Sequence, residues 1–140
     1  MRWLSLTFIC VLLSLPTAIL AQTQTIERQI KGAPETDINV GIFSSINANC
    51  TAGPLPVVIL ITPPARGNVT FKKGRLRATN LKQCLGVELP AFVAIYRSSA
   101  GFIGQDVFTL EVISSGGKSQ FQRITVTVMN PGTKPERIRT

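Results

Sequence analysis

Apolar and polar residues alternate in short runs along this chain, with a period of two rather than 3.6. Ile38-Asn-Val-Gly-Ile-Phe places apolar side chains at 38, 40 and 42, which predicts a short strand. Val57-Val-Ile-Leu-Ile-Thr is a continuous apolar run rich in β-branched residues. It predicts a strand buried on both faces, or one in the middle of a sheet, and Pro63-Pro64 ends it. Gly67-Asn-Val-Thr-Phe predicts another short strand, with Lys73-Gly74 as a turn. Residues 75–86 are polar, basic and without a period. Phe92-Val-Ala-Ile-Tyr predicts a further strand. Residues 106–113 set Val107, Thr109, Glu111 and Ile113 on one face and Phe108, Leu110 and Val112 on the other. Residues 121–128 set Ile124, Val126 and Val128 opposite Thr125 and Thr127, and a Ser-Ser-Gly-Gly turn joins these last two strands.

Six or seven short strands, Gly and Pro turns and no sustained helical period predict an all-β chain built as a β-sandwich. The expected inward set is Val40, Ile42, Ile59, Ile61, Val69, Phe71, Val93, Ile95, Phe108, Leu110, Val112, Ile124, Val126 and Val128. Each such burial contributes roughly 1.5–3 kcal/mol before conformational entropy is charged.

The first residues have the layout of a secretory signal. Arg2 is followed by an apolar run to Leu15, then Pro16 and the Ala18-Ile-Leu-Ala stretch, with cleavage expected after Ala21. An uncleaved anchor is the alternative, but the run is short for a span of roughly 20 apolar residues. The expected organisation is a signal peptide over 1–21, a flexible leader over 22–36, one domain over 37–130 and a disordered basic tail over 131–140. Export places the chain in the periplasm or outside the cell. Two cysteines, Cys50 and Cys84, then remain. In an exported chain an even pair reads as a disulfide, two buried free thiols being the other reading.

Charge adds one asymmetry. The chain carries 15 Lys and Arg against 7 Asp and Glu and no histidine, a net charge of +8. Arg66, Lys72, Lys73, Arg75, Arg77 and Lys82 fall close together, and no acid occurs between Asp37 and Glu88. With a turn at Lys73-Gly74 these residues gather at one end or edge of the sandwich. Such a patch attracts polyanions by salt-sensitive Coulomb forces. In an exported chain the partners to expect are an acidic polysaccharide, another envelope component or an acidic protein. Nucleic acid is a poor match, because aromatics are few. Lysine on an exposed strand also has a plainer use, since it blocks edge-to-edge pairing.

Catalytic patterns are missing. Without histidine a Ser-His-Asp triad is impossible. Asp106 and Glu111, five apart in one strand, face opposite ways, and Gly116-Gly-Lys-Ser lacks the upstream glycine of a phosphate-binding loop. The acids are too scattered for calcium, and zinc has no histidine to bind. The expectation is therefore no enzyme, no cofactor and no metal.

Pro63-Pro-Ala-Arg-Gly-Asn-Val-Thr, Tyr96, Gly101-Phe-Ile-Gly-Gln-Asp-Val-Phe and Ile124-Thr-Val-Thr-Val together resemble the bacterial cadherin-like and immunoglobulin-like repeat modules. The likeness covers roughly residues 57–128. It implies an immunoglobulin-like Greek-key β-sandwich of about seven strands with a binding or structural role. The Gly101, Phe102, Gly104 and Asp106 corner is read as structural: glycines for the bend, Phe102 to plug the end of the sandwich, Asp106 to accept loop amides. Because the likeness is bacterial, the Asn49-Cys-Thr and Asn68-Val-Thr sequons are read as chance. The chain departs from these modules most between 66 and 88, where the basic run and Cys84 lie. The expected function is a non-catalytic exported interaction module with a basic edge, the alternative being a small inhibitor or accessory subunit.

Overall fold

The structure is a computed structural model that describes residues 23–132. The expected signal peptide and most of the expected tail lie outside the described residues. Seven strands form: β1 Thr25–Gly32, β2 Ile38–Phe43, β3 Val57–Thr62, β4 Gly67–Arg77, β5 Glu88–Ser98, β6 Gly104–Ile113 and β7 Ser119–Val128. They make two sheets, one ordered β1-β7-β6-β3 and the other β2-β5-β4. All neighbours run antiparallel except β1, which lies parallel to β7. Among the described residues no helix is long and apolar enough to cross a membrane.

The core lies between the sheets. Val40, Phe43, Val69, Ala94, Tyr96, Phe108, Leu110, Ile124, Val126 and Val128 form its buried centre, with Val58, Leu60, Phe102 and Val112 packed around it. The Tyr96 and Phe108 rings, from opposite sheets, lie parallel with centroids 5.9 Å apart.

Several elements differ from the sequence expectation. The leader expected over 22–36 contains β1, whose backbone pairs with β7 from Thr25 to Gly32 and whose side chains alternate between half-buried and exposed. Its outward residues are polar, so nothing in its composition marks it as a strand. Ile42 points outward, because a bulge between Asn39 and Gly41 reverses the alternation and turns Phe43 inward instead. Ile59 and Ile61 are exposed as well. β3 is an edge strand, and only Val58 and Leu60 face the core. Phe71 faces the core side but sits at the rim, 37% exposed.

Lys73-Gly74 makes no turn. β4 runs unbroken from Gly67 to Arg77, with Gly74 opposite Ala91, because a strand paired along its whole length tolerates an interior glycine. The turn comes at 78–87, closed by the Ala78 amide on the Val87 carbonyl at 2.9 Å and by Gly86 at φ +79°. The face of β4 that is buried at Val69 is exposed at Lys73, Arg75 and Arg77. Along β5 the buried positions switch face between Ala91 and Ala94. Leu89 and Ala91, with Ala78 and Cys84, are buried outside the main core. Cys50 and Cys84 form a disulfide that ties the β2–β3 connection to this hairpin's loop.

Candidate functional site

The loop end of the β4–β5 hairpin carries half of the basic run. On β4, alternation puts Val69, Phe71, Lys73, Arg75 and Arg77 on one face. Val69 is buried and Phe71 rims the core. Beyond them the opposite sheet no longer covers the face, and Lys73, Arg75 and Arg77 stand in solvent. Across the ladder they meet Phe92, Pro90 and Glu88 respectively. Glu88 accepts from Arg75 Nε at 3.1 Å and from Arg77 Nη2 at 3.4 Å. The hydrogen bond from Arg77, then that from Arg75, and both charges hold the Glu88 carboxyl below the usual carboxylate range. One carboxylate thus faces three cations.

The other basic residues lie elsewhere. Lys72, on the opposite face of β4, pairs with Asp37 at 3.7 Å, and Arg97 joins the same carboxylate at 3.2 Å. Lys82 lies on the disulfide-tied loop, and no ion pair among the described residues involves it or Lys73. Arg66 lies at the far end of β4, its guanidinium 6.0 Å from the centre of the Phe102 ring. The six cations of the sequence run are therefore divided among four places. The two acids that flank the run in sequence, Asp37 and Glu88, fold back onto it.

Next to the basic face is an apolar slot of about 310 Å³ lined by Leu55, Pro56, Val57, Val58, Phe71 and Phe92. It opens between β3 and β4, the two sheet edges on this side of the molecule. Phe92 lies directly across from Lys73, so slot and cations are continuous. The sequence pattern hides this slot, since its residues come from three separate segments. The exposure of Phe71, which alternation alone puts in the core, is its clearest mark.

The 101–106 corner forms a second cluster. Gly101 (φ +71°) and Gly104 (φ +136°) take backbone angles that a Cβ disfavours. Asp106 is 3% exposed and accepts from the Ala65 amide at 3.0 Å, the Arg66 amide at 2.8 Å and the Tyr96 hydroxyl at 2.9 Å. Burial, and then the hydrogen bond and charge of Asp106, push the Tyr96 hydroxyl's pKa well above its ordinary value. These bonds tie the β3–β4 connection to β5 and β6. They leave the carboxylate no free direction for a ligand. Among the described residues no group of three or more His, Cys, Asp or Glu side chains converges to hold a metal ion.

No family model matches the chain, and neither a curated protein nor a solved structure matches it.

Proposed function

We propose that the chain is a non-catalytic, exported module that holds an acidic partner on the loop end of the β4–β5 hairpin. The observation that carries this is Lys73, Arg75 and Arg77 on one face, beyond the cover of the second sheet, with Glu88 as the one carboxylate among them. Such a concentration of like charge raises the local concentration of an anionic partner and makes capture sensitive to salt. The Cys50–Cys84 disulfide supports an oxidising, exported location, periplasmic or secreted.

The immunoglobulin-like, cadherin-like reading is part of the same proposal. What supports it is the strand order: two antiparallel hairpins, β4–β5 and β6–β7, sit in different sheets, and four connections cross between the sheets. The first strand departs from the constant-type immunoglobulin order, because it joins the sheet of the last strand rather than that of β2.

The test is retention on an immobilised acidic polysaccharide at low salt. Reversing Lys73 alone to Glu should move elution to markedly lower salt, whereas reversing Lys31 on distant β1, the same change in charge, should shift it little. Equal shifts for both would reduce the effect to net charge and defeat the reading.

A second reading, a small inhibitor or accessory subunit docking by its loops, draws on Leu81 and Leu85. Both stand exposed on the loop that the disulfide holds down. A stoichiometric partner that survives high salt and is lost with Leu85→Ser would favour it.

A further inference from the structure

The two sheets present four edges, and three of them are defended against pairing with another strand. β4 carries Lys72, Lys73, Arg75 and Arg77. β1 carries Glu27, Arg28 and Lys31. β2 is interrupted in mid-strand by a bulge between Asn39 and Gly41. Charge and bulges are usual means of keeping an edge from adding a strand. β3 differs. It is Val57-Val-Ile-Leu-Ile-Thr, with no charge and no proline, and it pairs only with β6. Its register with β6 is regular from Val57 to Leu60 and shifts only before Thr62. Val57, Ile59 and Ile61 stand 55%, 41% and 47% exposed on its outer face.

We infer that β3 is the docking edge: an extended segment of a partner protein adds to the sheet beside it, with apolar residues outward beside Val57, Ile59 and Ile61 and, on its inward face, one apolar residue followed by acidic ones. This rests on the acidic-partner reading and specifies what that partner presents. The backbone of β3 supplies the hydrogen bonds, as in other cases of strand addition. The apolar slot lies directly off this edge, bounded by Val57 and Val58 on one side and Phe71 on the other. It receives an inward apolar side chain of the added strand. Lys73 and Arg75 follow Phe71 along β4. They meet acidic side chains that continue past the slot. Charge complementarity selects against a second copy of this chain as the occupant. Each copy carries a net charge of +8, and two joined β3 edges would bring two basic hairpins to one side.

The probes are synthetic eight-residue peptides with valine at the outward positions and one valine followed by glutamates at the inward ones, titrated into the purified protein at low salt and followed by fluorescence anisotropy and amide chemical shifts. Expected are binding and shifts concentrated on β3. N-methylation at alternate peptide amides, which removes the ladder donors but keeps the charges, should weaken binding at least tenfold. Ile59→Lys should do the same, since it places a charge on the exposed face of the edge. An N-methylated peptide that binds as tightly as the parent overturns the inference, and it needs no altered protein. If that result comes with loss of binding on reversing Lys73 and Arg75, the edge inference fails while the acidic-partner reading stands. If a valine–lysine peptide binds as well as the glutamate one, the acidic-partner reading fails, and this inference with it. A dimer in sedimentation velocity that Ile59→Lys dissolves overturns it in favour of a second copy.

Discussion

Replacing Asp106 should cost this domain a large part of its stability. Its carboxylate accepts from the amides of Ala65 and Arg66, from the Tyr96 hydroxyl and from the amide of Val107 at 3.0 Å. A hydrogen bond contributes about 1 kcal/mol net, and about 1.5–3 when one partner is charged. The Val107 bond is local and is easily replaced by water. Counting the other three at the lower end, about 1.5 kcal/mol each, gives about 4–5 kcal/mol for Asp106→Ala. Small domains have about 5–15 kcal/mol in all. Asp106→Asn keeps the volume but aims an NH2 group at donors, and should cost about 2–3 kcal/mol. Tyr96→Phe removes one donor and leaves the carboxylate its loop amides, for about 1 kcal/mol. Urea denaturation reads these values as a fall in midpoint at constant slope. The Asp106→Asn, Tyr96→Phe double variant should lose less than the sum of the two, because both remove the same 2.9 Å bond. A loss below about 1 kcal/mol for Asp106→Ala, or strict additivity in the double variant, would refute the assignment of this carboxylate as the clamp of the β3–β4 connection.

Gly67→Ala should lower stability by about 1–3 kcal/mol, read as a fall in the urea midpoint. Its Cβ would come within 2.6 Å of the Arg97 carbonyl oxygen and of the Tyr96 ring, neither of which can move cheaply. Tyr96 makes stability fall in alkali. Above about pH 10 the unfolded tyrosine ionises while the folded one keeps its proton. Stability should therefore be flat below that pH and decline above it, and Tyr96→Phe should remove the decline. The chain has one tyrosine, so absorbance at the tyrosinate band follows it without overlap. Removing the disulfide with Cys50→Ser and Cys84→Ser should cost about 3–4 kcal/mol by thermal unfolding, from the loop closed across 34 positions.

Alternation was legible in β6 and β7 but chose the wrong face of β5: Val93 and Ile95, expected inward, are half-buried on the outer face, and Ala94 and Tyr96 enter the core. Phe108, Leu110, Ile124, Val126 and Val128 are inward as their period demands, because β6 and β7 pair without a register shift. It misleads at Ile42, where one extra residue in β2 reverses the faces. It is silent on position within a sheet: Val57-Val-Ile-Leu-Ile suits a central strand by composition, and only the topology makes it an edge. β1 could not be read, since its stability comes from a partner almost a hundred residues away rather than from its own pattern. The basic run was legible as a run and not as a site. Charge along a strand splits between two faces, and the acids that answer it, Asp37 and Glu88, are brought in by β2 and β5 geometry.

The parallel pairing of β1 with β7 also bears on how the domain carries force. Thr25 sits beside Phe121 and Gly32 beside Val128, so the chain enters at one end of the shared ladder and leaves at the other. Tension between the two ends slides β1 along β7 instead of peeling it away. The inter-strand hydrogen bonds then resist together, in shear, and none is exposed to the full load alone. A domain pulled at the outer ends of β1 and β7 would meet the load with the whole ladder at once.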